Sequence, residues 1–185
     1  CNISGPRRFK SGSVRDHILG FKAVNGRGEI IKSGGTVVKN VTGYDLSKLM
    51  CGSYGTLAAL TEITFKVMPI AEETKTLAIH NLDLERAIVA LDLAVRSSNE
   101  ISGATFLPVH PFCNNCEMNI EKTFKLNDLK EDGSITAIRL EGPKKSIQER
   151  LVNLNKEMKI SNYNISILDS LQSEIFWKKI KNLEF

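Results

Sequence analysis

The stretch that decides the fold is VVKNVTGYDLSKLMCGSYGTLAALTEITFKVMP, residues 37–69. Its last third, EITFKVM, alternates strictly: Ile63, Phe65 and Val67 fall on one face, Thr64 and Lys66 on the other. A period of two is the mark of a strand. YDLSKLM, residues 44–50, suits a short helix of one or two turns, and CGSYG behind it supplies turn residues.

Working towards residue 1, ILGFKAV and EIIKSG flank NGRG, which predicts a hairpin with glycine at the turn. Short glycine clusters (SGP, SGS, NGRGE, SGG, TGY, CGSYG) punctuate residues 1–69. Working the other way, Pro69 ends the strand within MPIAEET, and the texture changes to few glycines and longer helical periods. Two domains are therefore expected, 1–70 and 71–185.

The second has a clear order. TKTLAIH is a strand, followed by the helix DLERAIVALDLAVRSS, with Asp83 as N-cap and Leu84, Ala87, Ile88, Leu91 and Val95 on one stripe. GATFLPV and SITAIRL are two strands. PKKSIQERLVNLNKEM is a helix with Pro143 at its first position and Ile147, Leu151, Leu154 and Met158 on one face. YNISIL is a strand. A last helix starts near Asp169 or Ser170 and carries Leu171, Ile175 and Ile180 inward. Strand, helix, strand, strand, helix, strand is the split βαβ arrangement.

The 185 residues are 42% hydrophobic and 25% charged, a globular composition. There is no apolar run of about 18 residues to span a membrane. The start, CNISGPRRFK, carries no initiator Met, signal peptide or cleavage site, and FWKKIKNLEF reads as a helix cut short, so the chain is expected to be a fragment. A formal charge of +4 is too small and dispersed to argue for nucleic acid. The densest basic group, Arg7, Arg8, Lys10 and Arg15, reads as a solvated loop or as a neighbour of a cofactor phosphate. Four cysteines without a signal peptide point to a reducing, cytoplasmic setting.

VHPFCNNCEM places His110, Cys113 and Cys116 together. Tetrahedral zinc needs a fourth ligand and an iron–sulfur cluster four thiolates, and only Cys1 and Cys51 remain, both in the other domain. The cluster therefore reads as a loop with reduced thiols, and no metal ligand is assigned. His17 and His80 read as structural, and no residue is given a catalytic role.

SGPRRFKSGSVRDHILGFKAVNGRGEIIKSGG, residues 4–35, together with residues 37–69, resembles the C-terminal part of the PCMH-type FAD-binding domain of the vanillyl-alcohol-oxidase superfamily. Within it the chain most resembles the FAD-binding subunits of glycolate oxidase. The resemblance rests on SGPRR, GSVRDHILG, VKNVTGYDLSKL and GSYGTLAALTEITFKV in that order, and more weakly on the Phe-Trp pair in the tail.

It implies an α+β chain: that partial domain, lacking its N-terminal subdomain, followed by a truncated ferredoxin-like (βαββαβ) cap. It implies FAD as cofactor, with Ser4, Gly5, Gly12 and Ser13 where the family's loops meet the dinucleotide. Ser hydroxyls can donate to phosphate oxygens, and glycine lets the chain approach closely. Lys39, Asn40, Gly43, Tyr44 and Asp45 fall beside the flavin ring, and Gly52, Gly55, Thr56, Ala59 and Leu60 in the turn near the adenine end. Asp16 reads as a cap or ion-pair partner. Ala58 stands where the family has glycine, which puts the contact there in doubt.

Taken singly, each glycine cluster reads as an ordinary turn, Tyr44 as a core aromatic and Lys39 as a solvated strand end. The function implied is oxidation of glycolate or D-lactate to the 2-oxo acid, with hydride passing to flavin. The implied partners are a second FAD subunit and an iron–sulfur subunit, peripheral at the inner membrane through those partners. A non-catalytic assembly subunit that no longer binds flavin is the alternative. A third reading makes residues 73–168 a regulatory or ligand-binding module.

Overall fold

The computed structural model describes residues 1–38, 43–108, 133–159 and 163–182. The chain divides into two compact units, Cys1–Ile70 and Ala71–Phe185.

Unit 1 holds α1 (Arg8–Ser11), α2 (Val14–His17), β1 (Ile18–Asn25), β2 (Ile30–Gly34), α3 (Leu46–Met50) and β3 (Ala58–Phe65). Its sheet has the order β2-β1-β3, with both pairs antiparallel. The hairpin turn is built by one side chain: Asn25 Oδ1 accepts from the amides of Arg27 (2.9 Å) and Glu29 (3.0 Å). Asn25 Nδ2 adds a bond to Glu29 Oε2 at 2.7 Å. Asparagine suits the position because its short amide can mimic a backbone turn.

The core of the unit is small: Phe21, Ala23, Met50 and Ala58, with Ile31 packed against it. β3 starts earlier than the alternation of residues 62–68 suggests, because Ala58, Ala59 and Leu60 pair with Asn25, Val24 and Ala23. Its apolar side chains Leu60, Ile63 and Phe65 are 39%, 42% and 47% exposed, so the alternating face is not a buried one in this unit.

Unit 2 holds β4 (Glu73–His80), α4 (Leu84–Arg96), β5 (Gly103–Leu107), β6 (Ile135–Gly142), α5 (Lys144–Lys159), β7 (Asn164–Leu168) and α6 (Ser170–Asn182). The sheet order β5-β6-β4-β7, antiparallel throughout, is the ferredoxin-like order. Alternation sorts its two faces. Leu77, Ile79, Ile138 and Leu140 pack with α4 and α5. Ala78, Ile135 and Ala137 pack with Phe176, Trp177 and Ile180 of α6.

Asp83 caps α4 as expected, accepting from Arg86 N at 2.8 Å. The buried stripe of α4 differs from the expected one. Ala87, Ala90 and Ala94 meet the sheet, whereas Leu84, Ile88 and Val95 are exposed. Alanine lets the helix axis come close, and the bulky aliphatics are displaced to its flank. α6 is likewise turned: Phe176 and Trp177 join Ile180 inside, while Leu171 and Ile175 face out.

On that second face a buried cation is held in the sheet. Arg139 donates to Ser102 O (3.1 Å) and Ser102 Oγ (3.2 Å), and its guanidinium lies 4.5 Å from the Trp177 ring centroid. Trp177 Nε1 donates to Thr76 Oγ1 at 2.8 Å.

Candidate functional site

In unit 1 the first glycine-rich stretch folds into a self-satisfied turn. Ser13 donates to Asp16 Oδ2 twice, from its amide (2.7 Å) and its hydroxyl (2.8 Å). The bond from the Ser13 amide is the acidic half of the capping box that Ser-x-x-Asp signals. The next two amides are taken from outside the turn: Val14 N by Ser4 Oγ (3.1 Å) and Arg15 N by Asn2 Oδ1 (3.1 Å). The bonds from Ser13, with the charges of Arg15 and Lys48 nearby, hold the Asp16 carboxyl below the usual carboxylate range.

A cavity of about 250 Å³ opens beside this turn. It is lined by Asp16, Ile18 and Leu19, by Ser33 and Gly34, by Tyr44, Asp45 and Lys48, and by Lys66. Gly34 has φ +75, and a Cβ there would run into the Leu19 carbonyl and within 2.9 Å of Ser47 Oγ. Only glycine brings β2 this close to β1 and α3. Asp45 caps α3, accepting from Lys48 N at 3.1 Å, and its other oxygen lies 3.1 Å from Lys48 Nζ. Lys48 thereby holds the Asp45 carboxyl below its ordinary range.

Among the described residues expected at the cofactor, only Tyr44 and Asp45 line this cavity, and Tyr44 is 93% exposed. Ser13 and Gly12 turn inward: the Ser13 hydroxyl is donated to Asp16, and a Cβ on Gly12 would sit 2.9 Å from Asp16 Oδ2. Ser4 accepts from Val14 N and keeps its own proton to donate. Gly5, Gly43 and Gly55 are open, since a Cβ on any of them would meet no described atom within 4 Å. Gly43 (φ +76) and Gly55 (φ +78) also hold conformations that favour glycine.

Gly52 lies against Asn2, 3.5 Å from a Cβ built on it. Thr56 is exposed, with its hydroxyl donated to Ser53 O at 2.7 Å, and Ala59 and Leu60 are exposed on β3. Ala58 is buried against Phe21, Ala23 and Met50, so its extra methyl serves the core. Lys39 and Asn40 lie outside the described residues, as do His110, Cys113 and Cys116.

Open glycine faces let a flat, phosphate-bearing cofactor approach the backbone, and Gly5, Gly43 and Gly55 offer them, as do Gly26, Gly28 and Gly35. Apart from Tyr44 and Asp45, the cavity walls were missed by sequence reasoning because they come from segments far apart in the chain. The Gly34–Gly35 pair at the end of β2 was a local signal. Among the described residues no cluster of three or more His, Cys, Asp or Glu could hold a metal, and no helix is long and apolar enough to cross a membrane.

The fold is shared with a solved enzyme structure. Alkyldihydroxyacetonephosphate synthase in a P212121 crystal superimposes with a TM-score of 0.69 and 17% identity, over 98% of this chain and 34% of that one. In sequence the chain is similar to FAD-linked oxidoreductases, among them one of Mycobacterium tuberculosis (strain H37Rv) described in those words, 39% identical over 90 residues (49% of this chain, 20% of that protein).

More particularly, it is similar to glycolate oxidase subunits. Subunit GlcE of Escherichia coli (strain K12) is 58% identical over 69 residues, 37% of this chain and 20% of that protein. Subunit GlcD of Bacillus subtilis (strain 168) is 39% identical over 107 residues, 58% of this chain and 21% of that protein. The matched stretches thus span about a fifth of these relatives' length. No protein-family profile matches the chain.

Proposed function

We propose that the chain is part of an FAD-linked oxidoreductase of small 2-hydroxy acids, specifically a glycolate oxidase FAD-binding subunit. The observation that carries this reading is the 58% identity to subunit GlcE of Escherichia coli. The open faces of Gly5, Gly43 and Gly55 support it physically. When bound, FAD supplies the hydride acceptor that turns glycolate or D-lactate into the 2-oxo acid.

In this reading unit 1 (1–70) contributes one wall of the cofactor site and unit 2 (71–185) is the cap. The backbone at Gly5, Gly43, Gly52 and Gly55 approaches the cofactor. Tyr44 lies beside the flavin ring, and Ser4, Thr56, Ala59 and Leu60 flank the dinucleotide. Asp16 and Ser13 shape the turn from behind. The subunit works with a second FAD-linked subunit and an iron–sulfur subunit, in the cytoplasm.

The test is the visible spectrum of the full-length protein under anaerobic conditions. Flavin bands that bleach on addition of glycolate or D-lactate are expected. A folded, colourless protein that takes up no added FAD refutes the reading.

A further inference from the structure

His17 lies between two residues that line the cavity, Asp16 and Ile18, and does not line it itself. Its ring spans two backbone carbonyls: Nε2 is 2.7 Å from Ser11 O and Nδ1 is 3.2 Å from Lys66 O. Its own carbonyl accepts from Lys66 N at 2.7 Å. Two contacts, through Nδ1 and through the carbonyl of His17, therefore join the 11–17 turn to Lys66 at the end of β3, and the third, through Nε2, ties His17 to Ser11 within the turn. They come just where the β1–β3 ladder closes, since Ile18 opposite Phe65 is the last pair and a register shift separates it from Gly20.

Lys66 lines the cavity, and its backbone N–H and C=O are both bonded to His17. Carbonyl oxygens only accept, so each ring contact requires an imidazole N–H. The tautomer with its proton on Nδ1 serves Lys66, and the one with its proton on Nε2 serves Ser11. No aliphatic side chain replaces either bond.

We infer that His17 is a positioning residue: it fastens Lys66 against the Asp16–Leu19 wall and so fixes the width of the cavity for the cofactor. The cofactor part of this inference rests on the reading in the preceding subsection. The fastening itself does not.

Two measurements on the full-length protein separate them. Amide exchange at Lys66 is measured without added FAD for wild type, His17→Leu and His17→Gln. Exchange about tenfold faster in His17→Leu is expected, with His17→Gln in between because its amide N–H can restore one carbonyl bond. FAD affinity is then titrated by flavin fluorescence, and a loss of about tenfold or more in His17→Leu is expected, partly rescued in His17→Gln.

Unchanged exchange at Lys66 in both variants overturns the fastening. Faster exchange with unchanged FAD affinity overturns the positioning role. Global unfolding of both variants assigns His17 to overall stability and overturns it too. If wild type binds no FAD, the functional reading and the cofactor part of the inference fail together, while the exchange data still decide the fastening.

Discussion

Replacing Trp177 by Phe is expected to destabilise unit 2 by about 2.5–4.5 kcal/mol, from three losses that can be estimated separately. The indole N–H donates to Thr76 Oγ1 at 2.8 Å, and Thr76 is fully buried. Leaving that site without its donor costs about 1–1.5 kcal/mol. The Arg139 guanidinium sits 4.5 Å from the ring centroid, and a phenyl ring holds it less well by about 0.5–1 kcal/mol. The remainder, about 1–2 kcal/mol, is the lost apolar contact and the space left in a face that buries Trp177 with Phe176 and Ile180.

The assay is native-state amide exchange on β4 and β6, which reads the opening free energy of unit 2 directly. The decisive comparison is a double-mutant cycle with Thr76→Val, which removes the acceptor and keeps the shape. In the Thr76→Val background, Trp177→Phe should cost about 1–1.5 kcal/mol less, because no hydrogen bond remains to be lost. Effects that add to within about 0.5 kcal/mol would refute the assignment of this bond as an energetically coupled pair.

Three further outcomes are expected. Thr136 is fully buried and its hydroxyl finds no partner among the described residues, so Thr136→Val should stabilise unit 2 by about 1 kcal/mol in the same exchange measurement. Asp16 has its carboxyl held below its ordinary value by the Ser13 bonds, so its contribution is present above that value and fades as pH falls through the lower, folded one. The melting-temperature gap between wild type and Asp16→Asn should therefore be largest near neutrality and shrink in acid, as scanning calorimetry from neutral pH down to about pH 3 would read. Gly55→Val fills a face that is open in the structure, at φ +78, for roughly 1–2 kcal/mol of backbone strain. Fluorescence titration should show FAD affinity falling by about tenfold or more, well beyond what that strain does to the fold.

The order of elements was largely legible in the sequence, for reasons visible in particular residues. Asp83 capped α4 as its position before a helical period suggested, and Ile147, Leu154 and Met158 buried the face of α5 that their spacing drew. The faces of α4 and α6 were not legible. A pattern of Leu, Ile and Val marks an apolar stripe, yet close packing on a sheet selected Ala87, Ala90 and Ala94. The start of β3 was hidden because Ala58 to Leu60 gain their strand character from pairing with β1, not from alternation. In the candidate site the Ser13-x-x-Asp16 cap carried a local signature. The cavity did not, since Leu19, Gly34, Lys48 and Lys66 are joined only by the fold.

The sheet order of unit 2 has a consequence for the growing chain. β4 is made first and ends up inside the sheet, flanked by β6 and β7, which are made much later: His80 waits for Ile135 on one side and Asn164 on the other. During synthesis this strand, with Leu77, Ala78 and Ile79 bound for the core, leaves the ribosome with both edges bare. Closing pairs so distant in sequence is slow compared with the Asn25 hairpin, whose partners are local. A nascent chain stopped short of Leu168 therefore presents an unfinished sheet, with one edge of β4 unpaired, to chaperones and proteases.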